Sequence, residues 1–326
     1  MATARAVFTA EEIRQLSQRS DWVGAALVLH AWGLIGAAMA VFVWLPNPLT
    51  FLLAVMVIGG RQLGLAILMH DAAHGLLFRT RRLNEFVGQW LCAYPVGTDL
   101  QLYRPYHLKH HRHTQQAEDP DLVLSAPFPI SRASLKRKIW RDLSGKTGLT
   151  RRKQQIMMTW GPLGAEAGLS WRARWARLQQ GGLVGFVIVN ALLWAAMAAV
   201  GLWWLYPALW LLPLLTWYQL VSRIRNIAEH AVVPDNDDAL RNTRTTYTGP
   251  LTRLLLAPYW VNYHLEHHLL LSLPCWKLPA AHRLLIAKGL RDQMEVCESY
   301  FDVLRLATSA VSEGGSGSGG TKPAHI

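Results

Sequence analysis

Two long stretches of the chain carry no charge. Residues 22–60 and 183–222 contain no Asp, Glu, Lys or Arg, and each is long enough for two helical passes of roughly 20 residues through a bilayer. Each is also interrupted near its middle, at Pro46-Asn47-Pro48 and at Tyr206-Pro207, where proline withdraws a backbone N–H and ends a helix. The pattern predicts two helical hairpins, hence four transmembrane helices. Trp44, Trp203, Trp204 and Tyr206 stand beside the turns, where an aromatic belt is expected.

The remaining segments read differently. Residues 1–21 form an N-terminal amphipathic segment that opens a helix with the capping pattern Thr9-Ala-Glu-Glu12; because the first apolar run follows it, no cleavable signal peptide is expected. Residues 86–96 are apolar but too short to cross, which suggests an interfacial or re-entrant helix. Residues 125–180 are basic with tryptophans interleaved, as in helices lying on headgroups. A membrane domain over 22–282, a C-terminal amphipathic helix within 283–312 and a flexible Gly/Ser-rich tail over 313–326 complete the layout.

Composition agrees with a membrane protein. Of 326 residues, 51% are hydrophobic and only 17% charged, below the usual share for a soluble domain. The net charge of +12 is uneven: Arg5, Arg14 and Arg19 precede the first hairpin, Arg79, Arg81 and Arg82 follow it, and fifteen Lys and Arg lie between Arg104 and Arg177. By the positive-inside rule that side, with both termini, is cytoplasmic. The charges flank membrane segments without a recognition motif, so they suit anionic lipid headgroups or an acidic redox partner and not nucleic acid. Three cysteines with no CxxC pair imply neither a disulfide framework nor an iron–sulfur centre.

The candidate chemistry lies in the histidines. Nine of the 13 fall in four places: His70 and His74 (HDAAH), His107, His110 and His111 (HLKHH), His230, and His264, His267 and His268 (HLEHH). On a helix, steps of three and four residues bring such imidazoles to one face, while Glu266 points about 200° away. All four places follow membrane segments on the cytoplasmic side. Arg61 and Arg223, the first charges after the two uncharged stretches, are expected to snorkel to the headgroups. Neutral imidazole binds iron, zinc or copper. Nine imidazoles exceed the four that one structural zinc takes, so two ions account for all of them. Asn226, four residues before His230, could hold a metal-bound water. Asp71, Asp119, Asp121, Glu229 and Glu266 lie beside the boxes and could accept the second ring N–H of a ligating imidazole. His30, His113, His282 and His325 lack the spacing and are expected to be structural or superficial. Gly60 and Gly64 form a GxxxG that suits helix packing.

At HDAAHG, HLKHHRHTQQAEDPDL, RNIAEH and NYHLEHH the sequence resembles the membrane fatty acid desaturase and hydroxylase superfamily, over about residues 21–282. The resemblance implies an all-α integral membrane fold, four transmembrane helices carrying a cytosolic helical cap. It also implies two iron ions held by the nine histidines, with O2 as co-substrate and Asn226 holding a water. A C–H bond of an unactivated methylene is beyond side-chain acid–base chemistry, so such a cofactor must supply the oxidant. Two electrons must then arrive from an external ferredoxin or cytochrome b5 type donor, since no haem or cluster motif is present in the sequence. The reading that results is a desaturase of a lipid or acyl-chain substrate. Two alternatives stay open: a carotenoid ketolase or hydroxylase, or a lipid hydroxylase, of the same superfamily, and a non-catalytic metal-binding membrane protein.

Overall fold

The computed structural model describes residues 4–160, 170–180 and 182–309. The tail over 313–326 and His325 lie outside them. The described chain is mostly helical. After a single turn, Ala4–Val7, the helix Ala10–Leu16 has the expected capping box, in which Thr9 Oγ1 accepts from the Glu12 N–H and Glu12 from the Thr9 N–H.

Two helices, Asp21–Trp44 and Pro48–Ala73, are long and apolar enough to cross a membrane. They are joined by three residues, where Asn47 caps the second helix through Oδ1, and they pack along one another. The first turns large apolar side chains such as Trp22, Leu29 and Val41 outward, whereas the second buries most of its length.

The second uncharged stretch is more broken than two plain passes. Leu183–Ala199 is an apolar helix of 17 residues, about 25 Å long, short of the roughly 30 Å hydrocarbon core. The chain then resumes as a wide-turn segment, Tyr206–Leu211, a single turn, Leu212–Leu215, and the helix Trp217–His230. The break at Thr216 (φ −120°, ψ −86°) re-aims the last of these. Asn190 ties the pieces together: its Oδ1 accepts from Tyr206 Oη and Trp210 Nε1, and its Nδ2 donates to Tyr94 O. Trp210 in turn stacks on Trp32 of the first helix, ring centroids 5.5 Å apart.

Several expectations need correction. The fold is not purely helical, because Thr245–Thr246 and Val296–Cys297 form a short parallel pair. The single C-terminal amphipathic helix expected within 283–312 is instead parts of two helices, Leu278–Ala287 and Tyr300–Ala307; Gly289, at φ +75°, ends the first in a conformation that favours glycine. The short apolar segment 86–96, expected to be interfacial or re-entrant, is not overturned: the helix Arg81–Val87 runs into a wide-turn helix, Gly88–Ala93, and a 3-10 turn, Tyr94–Val96, packed on the second apolar helix. Neither arginine snorkels. Arg61 is buried against the carbonyls of Arg253 and Leu254, and Arg223 grips the buried Asp142 with two hydrogen bonds. The GxxxG does pack closely, but against the backbone at Leu254–Leu255 and the Tyr259 ring.

Candidate metal centre

Each histidine segment is positioned by its own local device. Pro48–Ala73 ends where Gly75 (φ +72°) lets the N–H groups of Gly75 and Leu76 return to the carbonyls of Ala72 and Asp71. His70 and His74 therefore sit one turn apart at the end of the helix. Asp99 caps the helix Leu100–Arg112, its Oδ1 accepting from the N–H groups of Gln101 and Leu102, and this helix carries His107, His110 and His111. His230 is the last residue of Trp217–His230, and His264, His267 and His268 occupy the short helix His264–Leu269.

The nine imidazoles gather into two groups. His70, His74, His107, His111 and His267 form one; His110, His230, His264 and His268 form the other; within each, the ligand atoms lie within 4.8 Å of one another. The two HxxHH boxes divide between them in opposite senses. Residues i and i+4 of a helix differ by about 40° in direction, while i+3 points about 100° from i+4. The first box accordingly gives its i, i+4 pair to the five-histidine group and His110 to the other. The second gives His264 and His268 to the four-histidine group and His267 across to the first.

The spacing inside the groups suits metal ions. Nitrogens about 2.0–2.1 Å from one ion and at right angles around it lie about 2.8–3.0 Å apart. The Nε2 atoms of His74 and His107 are 3.0 Å apart, those of His107 and His111 2.8 Å, of His111 and His267 3.0 Å, and of His230 and His264 2.8 Å. Both ring nitrogens of His70 and Nε2 of His268 are buried without a hydrogen-bond partner, an arrangement whose cost falls if an ion takes the one lone pair each neutral ring offers.

Electrostatics point the same way. Burial, with added repulsion from neighbouring imidazoles, pushes His107, His230, His264, His267 and His268 well below the ordinary histidine range. Burial and then Arg104 bring His74 down to about 4, and burial with His74 and His110 brings His111 to about 2. These rings are neutral at physiological pH, the form in which imidazole binds a metal.

The five carboxylates predicted to orient the rings behave differently from one another. Asp119 does what is expected, accepting from His110 Nδ1 at 2.8 Å, which leaves Nε2 for an ion. Burial pushes Asp119 up, but this hydrogen bond and those from the Gln115 and Asp121 N–H groups outweigh it and hold the carboxyl below its usual value. Asp121 stands 3.9 Å from the same ring nitrogen and instead accepts from Tyr106 Oη. Asp71 is 3.6 Å from His70 Nδ1 and accepts from the Cys275 N–H, tying the first box to the segment after the third. Glu229 is 3.6 Å from His264 Nδ1 and pairs with Arg225; burial, against the pull of Arg225, raises it to about 7. Glu266 touches none of the nine. It accepts from Thr245 Oγ1 and pairs with His282, whose Nε2 meets Tyr247 Oη.

Some contacts had no signal in the sequence. Thr114 Oγ1 lies 3.2 Å from His268 Nδ1, Gln115 Nε2 donates to the His230 carbonyl, and Tyr103 stacks on His107 with ring centroids 4.9 Å apart and planes 13° from parallel. They depend on distant segments meeting. Asn226 lines a cavity of about 250 Å3 together with Tyr103, His107, His110, His230 and His264. Its other walls include Leu63, Ile67 and Phe128, with Ser222, Arg225 and Glu229 as polar groups. His30 and His113 stay outside both groups.

The family model described as fatty acid desaturase matches residues 42–296. Among curated proteins, the chain is 28% identical over 291 residues to the dihydrorhizobitoxine desaturase of Bradyrhizobium elkanii, covering 85% of this chain and 80% of that protein. It is 26% identical over 264 residues to a beta-carotene ketolase of Paracoccus sp. (strain PC1), covering 79% and 87%. It is also 26% identical over 226 residues to a beta-carotene 4-ketolase of Protosiphon botryoides, covering 68% and 48%. With its histidines gathered as described and a family match over most of its length, the chain belongs to the fatty acid desaturase family.

Proposed function

We propose that the protein is an O2-dependent, multi-pass membrane oxidase with two iron ions at the paired histidine groups, and that it inserts a double bond into the aliphatic chain of a lipid or acyl substrate. The observation that carries this reading is the division of nine closely set imidazoles, six of them buried and three half-buried, into a group of five and a group of four. A lone structural ion would use four and leave the others desolvated without purpose. When bound, the iron pair would supply the oxidising power that removes two hydrogens from adjacent carbons, with O2 as the oxidant and two electrons from an external donor.

The chain's own residues would then position the reaction. His70, His74, His107, His111 and His267 would hold one ion and His110, His230, His264 and His268 the other, with Asp119 fixing the His110 tautomer. Asn226 faces the shared cavity and would hold a water beside the four-histidine group. Leu63, Ile67 and Phe128 give the cavity an apolar wall for a hydrocarbon segment. On the outer side, His74 lines a surface pocket with Arg19, Leu108 and Leu271. A ferredoxin or cytochrome b5 type donor with an acidic face would approach His74 there. Two helices of crossing length and outward apolar faces support a membrane setting. In this reading four passes leave both termini and the histidines in the cytoplasm.

A second reading, a carotenoid ketolase or hydroxylase, is favoured by the relatives of that activity. Metal analysis of detergent-purified protein tests the shared premise: about two irons per chain are expected, and stoichiometric zinc or no metal from iron-replete cells would overturn it. Lipid and pigment profiling of an expressing host separates the two readings. New acyl double bonds support the first, a shifted carotenoid absorbance the second.

A further inference from the structure

Arg61 stands in an unusual position for the first charge after an uncharged run. It is only 3% exposed. Its Nη2 donates to the carbonyls of Arg253 (2.7 Å) and Leu254 (2.6 Å), its guanidinium lies 5.5 Å from the Tyr259 ring centroid, and its Nε is buried with no partner. Arg253 Nε is likewise buried and unpartnered. Among the described residues neither arginine meets a carboxylate. Arg61 is thus a desolvated cation with only neutral acceptors, the half-buried Arg253 stands on the same cavity wall, and an anion held there would offset the charge and the lost hydration of Arg61.

Both arginines line a cavity of about 690 Å3, with His30 and Tyr259 as further polar groups and an otherwise apolar wall. Ala26, His30 and Leu34 recur every fourth residue and Leu27 lies beside them, so one face of the outward-looking helix Asp21–Trp44 closes the cavity. On the opposite side the segment around Leu254 closes it, and the neighbouring Leu251 is exposed. The site is distinct from the histidine centre. Arg61 precedes His70 by nine residues on one helix, about 14 Å along it and about 180° around it, while Leu63, Ile67 and His70 face the cavity beside the imidazoles.

From this arrangement we infer that the cavity between Asp21–Trp44 and the segment around Leu254 binds an anionic amphiphile. Arg61 and Arg253 hold its phosphate or carboxylate head, and its hydrocarbon chain lies along Leu27 and Leu34. Because it sits across the helix from the metal centre, this molecule is a bound lipid and not the one oxidised.

Native mass spectrometry of the full-length protein, exchanged into equimolar phosphatidylglycerol, phosphatidylcholine and oleate, tests the assignment. One phosphatidylglycerol or one oleate per chain is expected to be retained about tenfold over phosphatidylcholine, and which of the two is retained identifies the head as phosphate or carboxylate. Arg253→Gln is expected to remove that preference. So is Ala26→Phe, which fills the cavity from an exposed position and leaves the Arg61 hydrogen bonds intact. Equal retention of all three lipids by the wild type, or a preference that survives both substitutions, would overturn the assignment. Iron per chain, measured on the same samples, should stay at the wild-type value in both variants; its absence from the wild type bears on the oxidase reading alone.

Discussion

His282 Nδ1 and Glu266 Oε1 lie 2.5 Å apart with both side chains buried. Glu266 points away from the three imidazoles of its own short helix, so this pair holds the helix from behind, together with the bond from Thr245. Removing the ring leaves a fully buried carboxylate with a single hydroxyl donor, a change that costs about 3–5 kcal/mol where one partner of a buried pair is deleted. His282→Ala is therefore expected to lower the melting temperature of the detergent-solubilised protein and its iron content together, and His282→Gln, which keeps a donor, to recover part of both. Unchanged melting and iron in His282→Ala would show that the pair does not clamp the helix.

The two groups of histidines predict a separable metal phenotype. His107 belongs to the group of five and His230 to the group of four, so each alanine substitution should weaken one site and spare the other. Bound iron is expected to fall from about two to about one per chain in either variant, with product formation lost in both. His30→Ala, outside both groups, should keep the full iron content. Elemental analysis beside product assay checks this, and equal iron loss in all three variants would contradict the grouping.

Arg223 and Asp142 make a further prediction about the helix that carries His230. Asp142 is fully buried and takes two hydrogen bonds from the guanidinium as well as one from Thr147. The pair fastens Arg132–Leu143 to Trp217–His230. Arg223→Lys keeps the charge but cannot reproduce the two-pronged contact, so a loss of stability of about 1–3 kcal/mol is expected in chemical denaturation, and Arg223→Ala should lose more.

How far the sequence revealed this arrangement depends on how local each signal is. Eight of the nine histidines were legible because their i, i+3 and i+4 spacing is a property of one helix at a time, and two HxxHH boxes leave little room for accident; His230, alone in its segment, was legible only from its place after the second uncharged stretch. Which ring goes to which group was not legible, since the exchange of His110 and His267 between groups depends on how two distant helices cross. The same reason hid the Glu266–His282 pair, 16 residues apart, and the contact of Thr114 with His268, 154 residues apart. Arg61 and Arg223 misled because the first charge beyond an apolar run usually reaches for headgroups, whereas here backbone carbonyls and Asp142 supply partners inside the protein. The short parallel strand pair escaped notice because two residues carry no periodicity.

Gly60 provides the sharpest test of how the second apolar helix meets the segment around Leu254. A methyl group placed there would stand 2.8 Å from the carbonyl oxygens of both Leu254 and Leu255, and the Leu254 carbonyl is also an acceptor for Arg61. Backbone cannot swing aside as a flexible side chain can, so the segment would have to move and the Arg61 bonds stretch. Alanine gains about 1 kcal/mol over glycine inside a helix, and overpacking typically costs about 1–3 kcal/mol. The clash is with backbone on two sides, so destabilisation is expected to win at Gly60. Gly33 has open space around its missing side chain, so there the helix preference acts alone. Thermal melts of Gly60→Ala and Gly33→Ala should shift in opposite directions, downward for the first and upward or not at all for the second; a Gly60→Ala protein as stable as the wild type would show that this close approach is not required.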